Sequence, residues 1–180
     1  FGEGGVHISK DAALSIANSS VSGNIVSSPI YNSGLLTLTN SLLWGNFTGD
    51  GGGLHNDGSA TLIHTTVSGN VAEGWGGGII NDGTVMLTNS TVSDNQASGG
   101  GGIENRGTAT LTNTSVSGNF GSRGGGISNS GTLTLSDTKV SDNSVDDGGG
   151  GGISNGGTAT LTNTTVSGNS AFQSSGGGIA

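Results

Sequence analysis

Gly157-Thr-Ala-Thr-Leu-Thr-Asn-Thr-Thr-Val-Ser-Gly-Asn169 is one line of a text that the chain writes seven times. Near-identical copies occupy residues 107–119 and 131–143, and looser ones occupy 12–24, 34–46, 58–70 and 83–95. Each copy after the first follows a lead-in that ends in an aliphatic residue: Ile30, Leu54, Ile79, Ile103, Ile127 and Ile153, with Ile179 closing the series. These are spaced by 24, 25, 24, 24, 26 and 26 residues. Within the quoted line Ala159 and Leu161 alternate with Thr158, Thr160 and Thr162, the period-two signature of a strand with one buried face. Thr165-Val166-Ser167 makes a second short strand, and the lead-in makes a third. No window has the 3.6 period of a helix, and Gly disfavours one by about 1 kcal/mol per residue. The repeat therefore predicts an all-β, right-handed parallel β-helix of about seven coils of roughly 24 residues, with three short strands per coil.

Like residues then stack in columns. Ile16, Leu38, Leu62, Leu87, Leu111, Leu135 and Leu161 form one; Val21, Leu43, Val67, Val92, Val116, Val140 and Val166 form another. A single coil has almost no core, so stability must come from coil-on-coil stacking. Two asparagine columns mark the bends: Asn24, Asn46, Asn70, Asn95, Asn119, Asn143, Asn169, and Asn32, Asn56, Asn81, Asn105, Asn129, Asn155. Stacked amides can hydrogen-bond from coil to coil. The residue before the first Asn column is always Gly or Asp, which predicts a left-handed backbone there.

Composition narrows the possible roles. The 180 residues include 39 Gly, only 9% charged residues and no Cys, and carry a net charge of −8. Four scattered Lys and Arg do not make a nucleic-acid surface. Without Cys there is no disulfide framework, and no apolar run has the ~18 residues of a membrane-spanning helix. The sequence opens and closes in mid-pattern, which reads as one domain that is a piece or stacking unit of a longer array. Its open strand edges favour end-to-end self-association.

The lead-in Gly77-Gly78-Ile79 and the ending Val166-Ser-Gly-Asn169, with their copies, resemble the repeats of polymorphic outer-membrane proteins and related bacterial β-helix surface proteins. That resemblance covers nearly the whole chain. It implies a structural or adhesive segment of a secreted or cell-surface protein, with a host surface or a glycan as partner.

Two surfaces are left over once the scaffold columns are assigned. One is a hydroxyl face on the longest strand: Thr84, Thr88, Thr108, Thr110, Thr112, Thr132, Thr134, Ser136, Thr158, Thr160 and Thr162. Its regular spacing is similar to the ice-binding faces of β-solenoid antifreeze proteins, while Thr is also simply a good outward strand residue. The other is the loop after the first Asn column, carrying Phe47, Trp75, Phe120, Arg123, Asp146, Asp147 and Phe172. Its aromatics suit either stacking on sugars or packing on the solenoid as lids. Asp57, Asp82 and Arg106 share a column, which reads as a charge ladder more simply than as the acid pair of a carbohydrate-active enzyme. Asp142, Asp146 and Asp147 lack the repeated nonapeptide of calcium-binding β-helices. His7 and His55 lie two coils apart with Tyr31 between, and His64 stands at a corner that Asn40 and Asn89 occupy in other coils. The expectation is a non-catalytic chain with no metal and no cofactor.

Overall fold

The computed structural model describes residues 5–146, 148–172 and 176–180. Its strands fall into four parallel sheets of seven strands each, every strand pairing with its counterpart one repeat away. The chain is thus a β-solenoid of about seven coils. Each coil runs through a three-residue strand such as Ile103–Asn105, a five-residue strand such as Thr108–Thr112, and a three-residue strand such as Ser115–Ser117. A two-residue strand such as Phe120–Gly121 completes it.

This fourth strand corrects the expected three per coil. It follows every Asn of the first column: Ile25–Val26, Phe47–Thr48, Val71–Ala72, Gln96–Ala97, Phe120–Gly121, Ser144–Val145 and Ser170–Ala171. Two residues are too few to display a period, so the pattern is visible only when the coils are stacked. The second residue of each pair points inward: Thr48, Ala72, Ala97 and Val145 are all buried. Thr48 is the misfit. Its Oγ1 is buried without a hydrogen-bond partner, and an unmet buried hydroxyl is costly. Thr48→Val replaces that oxygen with a methyl group of similar size. It is expected to raise stability by roughly 1 kcal/mol, read as a higher urea midpoint with unchanged slope.

The core is one continuous cluster between the sheets. The columns Ile30–Leu54–Ile79–Ile103–Ile127, Leu38–Leu62–Leu111–Leu135 and Leu43–Val67–Val92–Val116–Val140 are fully enclosed. Truncating such a leucine to alanine typically costs about 2–5 kcal/mol. Leu161, in the last complete coil, is 36% exposed because no further long strand covers it.

The bends are made by residues that accept positive φ. Gly23, Gly45, Gly69, Asp94, Gly118, Asp142 and Gly168 all have φ between 56° and 66°, as the sequence pattern predicts. A second left-handed column follows the long strand: Asn18, Asn40, His64, Asn89, Asn113, Asp137 and Asn163, with φ of 48–51°. These are the non-glycine side chains that tolerate this region best. His64 takes the corner place expected of it, with Nε2 3.2 Å from Asn89 Nδ2.

Both predicted asparagine columns are ladders. Asn95 Nδ2 donates to Asn119 Oδ1 at 3.0 Å, and Asn119 Nδ2 donates to Asn143 Oδ1 at 2.9 Å. The same Oδ1 atoms also accept the backbone N–H of the neighbouring Asn, as in Asn95 N to Asn119 Oδ1 at 3.0 Å. The second ladder links Asn32, Asn56, Asn81, Asn105, Asn129 and Asn155 at 2.7–2.8 Å. Buried amides are thus satisfied by each other and by the backbone of the bend.

Candidate functional surfaces

The hydroxyl face is in register. Thr84, Thr108, Thr132 and Thr158 pair in sequence, as do Thr110, Thr134 and Thr160, and Thr88, Thr112, Ser136 and Thr162. Outward residues lie about 6.7 Å apart along a strand and about 4.8 Å apart between coils. Parallel pairing without bulges keeps the outward columns in line. Among the described residues no hydrogen bond engages the side-chain hydroxyls of these Thr and Ser residues, so each is free for solvent. The grid is interrupted by exposed Met86 and, further back, by exposed Leu35.

The loop face is less uniform. Phe47 and Phe172 are exposed at 39% and 69%. Asp146 and Arg123 are exposed and Phe120 is half-buried; Asp147 lies outside the described residues. Phe47 and Phe120 share a column, but Val71 and Gln96 stand between them, so the two rings do not converge. Trp75 takes the lid arrangement. It is half-buried, with the Arg123 guanidinium 4.5 Å and the Arg106 guanidinium 5.2 Å from its ring centroid. Its backbone N–H donates to Asp50 Oδ1 at 2.7 Å. Gly99 lies against the ring: a Cβ there would sit 2.2 Å from Trp75 Cε3.

A polar group occupies the outward side of the lead-in sheet. His7, Tyr31 and His55 stack in register, with ring centroids 5.2 and 4.9 Å apart. The Asp57–Asp82–Arg106 ladder is present in part: Arg106 Nη1 lies 3.7 Å from Asp82 Oδ1. Arg106 Nε is also 3.6 Å from Glu104 Oε1, and Glu104 is buried, accepting the N–H of Gly100 at 3.1 Å. His55 joins the acids, an arrangement the sequence reading misses. Its Nε2 lies 3.2 Å from Asp57 Oδ1 and 3.7 Å from Asp82 Oδ2. The Tyr31 hydroxyl donates to Asp57 Oδ2. That bond is lost on ionisation, and it is the main reason the hydroxyl is held above its ordinary pKa.

A shallow groove of about 350 Å³ runs along the outer corner, lined in part by Asn89, Asn113, Asp137 and Lys139. It is open to solvent.

No helix among the described residues is long and apolar enough to cross a membrane. No protein-family model, curated protein or solved structure matches the chain. The likeness to polymorphic outer-membrane repeats therefore rests on the repeat motifs alone.

Proposed function

We propose that this chain is a non-catalytic rod segment of a secreted or cell-surface protein, holding flat outward faces at fixed spacing for contact with other surfaces. The observation that carries this reading is the division of labour in each coil. Inward side chains and corner amides serve stacking, while the outward Thr and Ser hydroxyls over the last three coils of the long sheet stand in register and unengaged. End-to-end stacking of copies fits the same architecture, because parallel edges accept a further coil. Host surfaces and glycans are the partners such a rod would meet. An antibody raised against the 180-residue chain is expected to label intact cells that make the natural protein. Label that appears only after permeabilisation would overturn the surface assignment.

Ice binding is the second reading, favoured by the in-register hydroxyls over the last three coils. It predicts thermal hysteresis and faceted crystals at high protein concentration. Thr134 is the centre of that grid, so Thr134→Tyr should abolish most of the hysteresis while leaving the circular dichroism unchanged. Zero hysteresis in the parent protein would remove this reading.

A further inference from the structure

We propose that His55, Asp57 and Asp82 form a binding site for one divalent first-row transition-metal ion, of which Zn²⁺ is the natural probe. The three side chains meet because His55 and Asp57 are two residues apart on one outward face, and Asp82 follows Asn81, which pairs with Asn56 one coil below. One ligand atom from each lies within 4.8 Å of the others.

The spacing matches a metal shell. Zinc binds imidazole nitrogen and carboxylate oxygen at about 2.0–2.2 Å, so tetrahedral ligands stand about 3.3–3.5 Å from each other. His55 Nε2 is 3.2 Å from Asp57 Oδ1 and 3.7 Å from Asp82 Oδ2, which brackets that value.

The outer groups orient the same three side chains. Tyr31 holds Asp57 by Oδ2 and leaves Oδ1 facing the histidine. Arg106 approaches Asp82 at Oδ1 and leaves Oδ2 facing the histidine. The His55 ring is itself stacked on Tyr31 at 4.9 Å. Metal sites use such outer partners to fix their ligands.

Charge favours an added cation. Asp57, Asp82 and Glu104 supply three carboxylates, and Arg106 is the only Lys or Arg paired with any of them among the described residues. A divalent ion would balance the remaining two charges. The imidazole nitrogen selects against Ca²⁺ and Mg²⁺, which prefer all-oxygen shells. Water would complete the coordination, since the site is open on its outer side.

Isothermal titration of the 180-residue chain with ZnCl₂ tests the proposal. One Zn²⁺ per chain is expected, with Ca²⁺ and Mg²⁺ giving no saturable signal. His55→Gln and Asp82→Asn should each weaken binding by at least ~10-fold, and Tyr31→Phe by about 10-fold. His64→Asn, at a separate corner, should bind like the parent. Co²⁺ added to the parent should give a visible d–d spectrum that is absent in His55→Gln. No saturable Zn²⁺ binding by the parent, or equal binding by His55→Gln, would overturn the site. Circular dichroism of each variant separates loss of the site from loss of the fold.

Discussion

Asn119→Ala is expected to destabilise the solenoid by about 3–4 kcal/mol, the cost of leaving several buried polar groups unmet. Asn119 is fully buried. Its Oδ1 accepts both the N–H and the Nδ2 of Asn95, each at 3.0 Å. Its Nδ2 donates to Val92 O at 3.0 Å and to Asn143 Oδ1 at 2.9 Å. Alanine removes all four bonds and strands the N–H of buried Asn95. Asn24→Ala is the control. That residue is half-buried and donates to Asn46 Oδ1 at 2.8 Å and Ser22 O at 3.2 Å. Its loss should cost ~1 kcal/mol or less, because exposed groups rebind water. Urea unfolding followed by circular dichroism reads both. A central break also weakens nearest-neighbour coupling, so Asn119→Ala should broaden or split the transition. Equal costs at the two positions would mean that the coils are stabilised independently of the ladder.

Gly107→Ala should be a severely damaging change for a single added methyl group, at ~3 kcal/mol or more. A Cβ on Gly107 would stand 2.0 Å from Gly83 O and 2.7 Å from Asp82 O. Both are backbone atoms of the adjacent coil and cannot swing aside. Gly83 O also accepts the N–H of Thr108 at 2.9 Å, so separating the coils breaks the sheet as well. Gly45→Asn should cost less than about 1 kcal/mol, since Asn enters the left-handed region readily. Gly45 has φ of 62° with nothing within 4 Å of an added Cβ. Asp94 and Asp142 already fill the same column. Thermal melts of the two variants should therefore differ widely, although both replace a glycine that recurs in the repeat. A Gly107→Ala protein that melts like the parent would show that the coils have slack.

The contrast shows what was legible in the chain. Spacing of Leu, Val, Gly and Asn predicts the coil, the core columns, both buried ladders and the left-handed corner before each Asn. It does so because each is a one-residue property repeated six or seven times. The fourth strand escapes because Phe47–Thr48 and Ser144–Val145 share no residue type, only an inward second position. The arginine partners of Trp75 escape for another reason. Both of them, Arg106 and Arg123, lie more than one repeat along the chain from Trp75, and neither recurs in the repeat. The His55–Asp57–Asp82 cluster was within reach: Asp57 and Asp82 align in one column. The third group is a single imidazole two residues before Asp57 on the same face, with no second histidine beside it to mark the place.

The two buried amide ladders have a consequence for assembly. In the first, every Nδ2 from Asn24 to Asn143 donates toward the coil of higher number. In the second, every Nδ2 from Asn32 to Asn129 does the same. The amide dipoles therefore add along the axis, as peptide dipoles add along a helix. The rod has a vectorial sense: each ladder presents an amide acceptor at one end and an amide donor at the other. Copies that join head to tail continue both chains of bonds, whereas head-to-head contact sets donor against donor. Any filament of this chain should be polar, with growing ends that differ in chemistry and hence in rate.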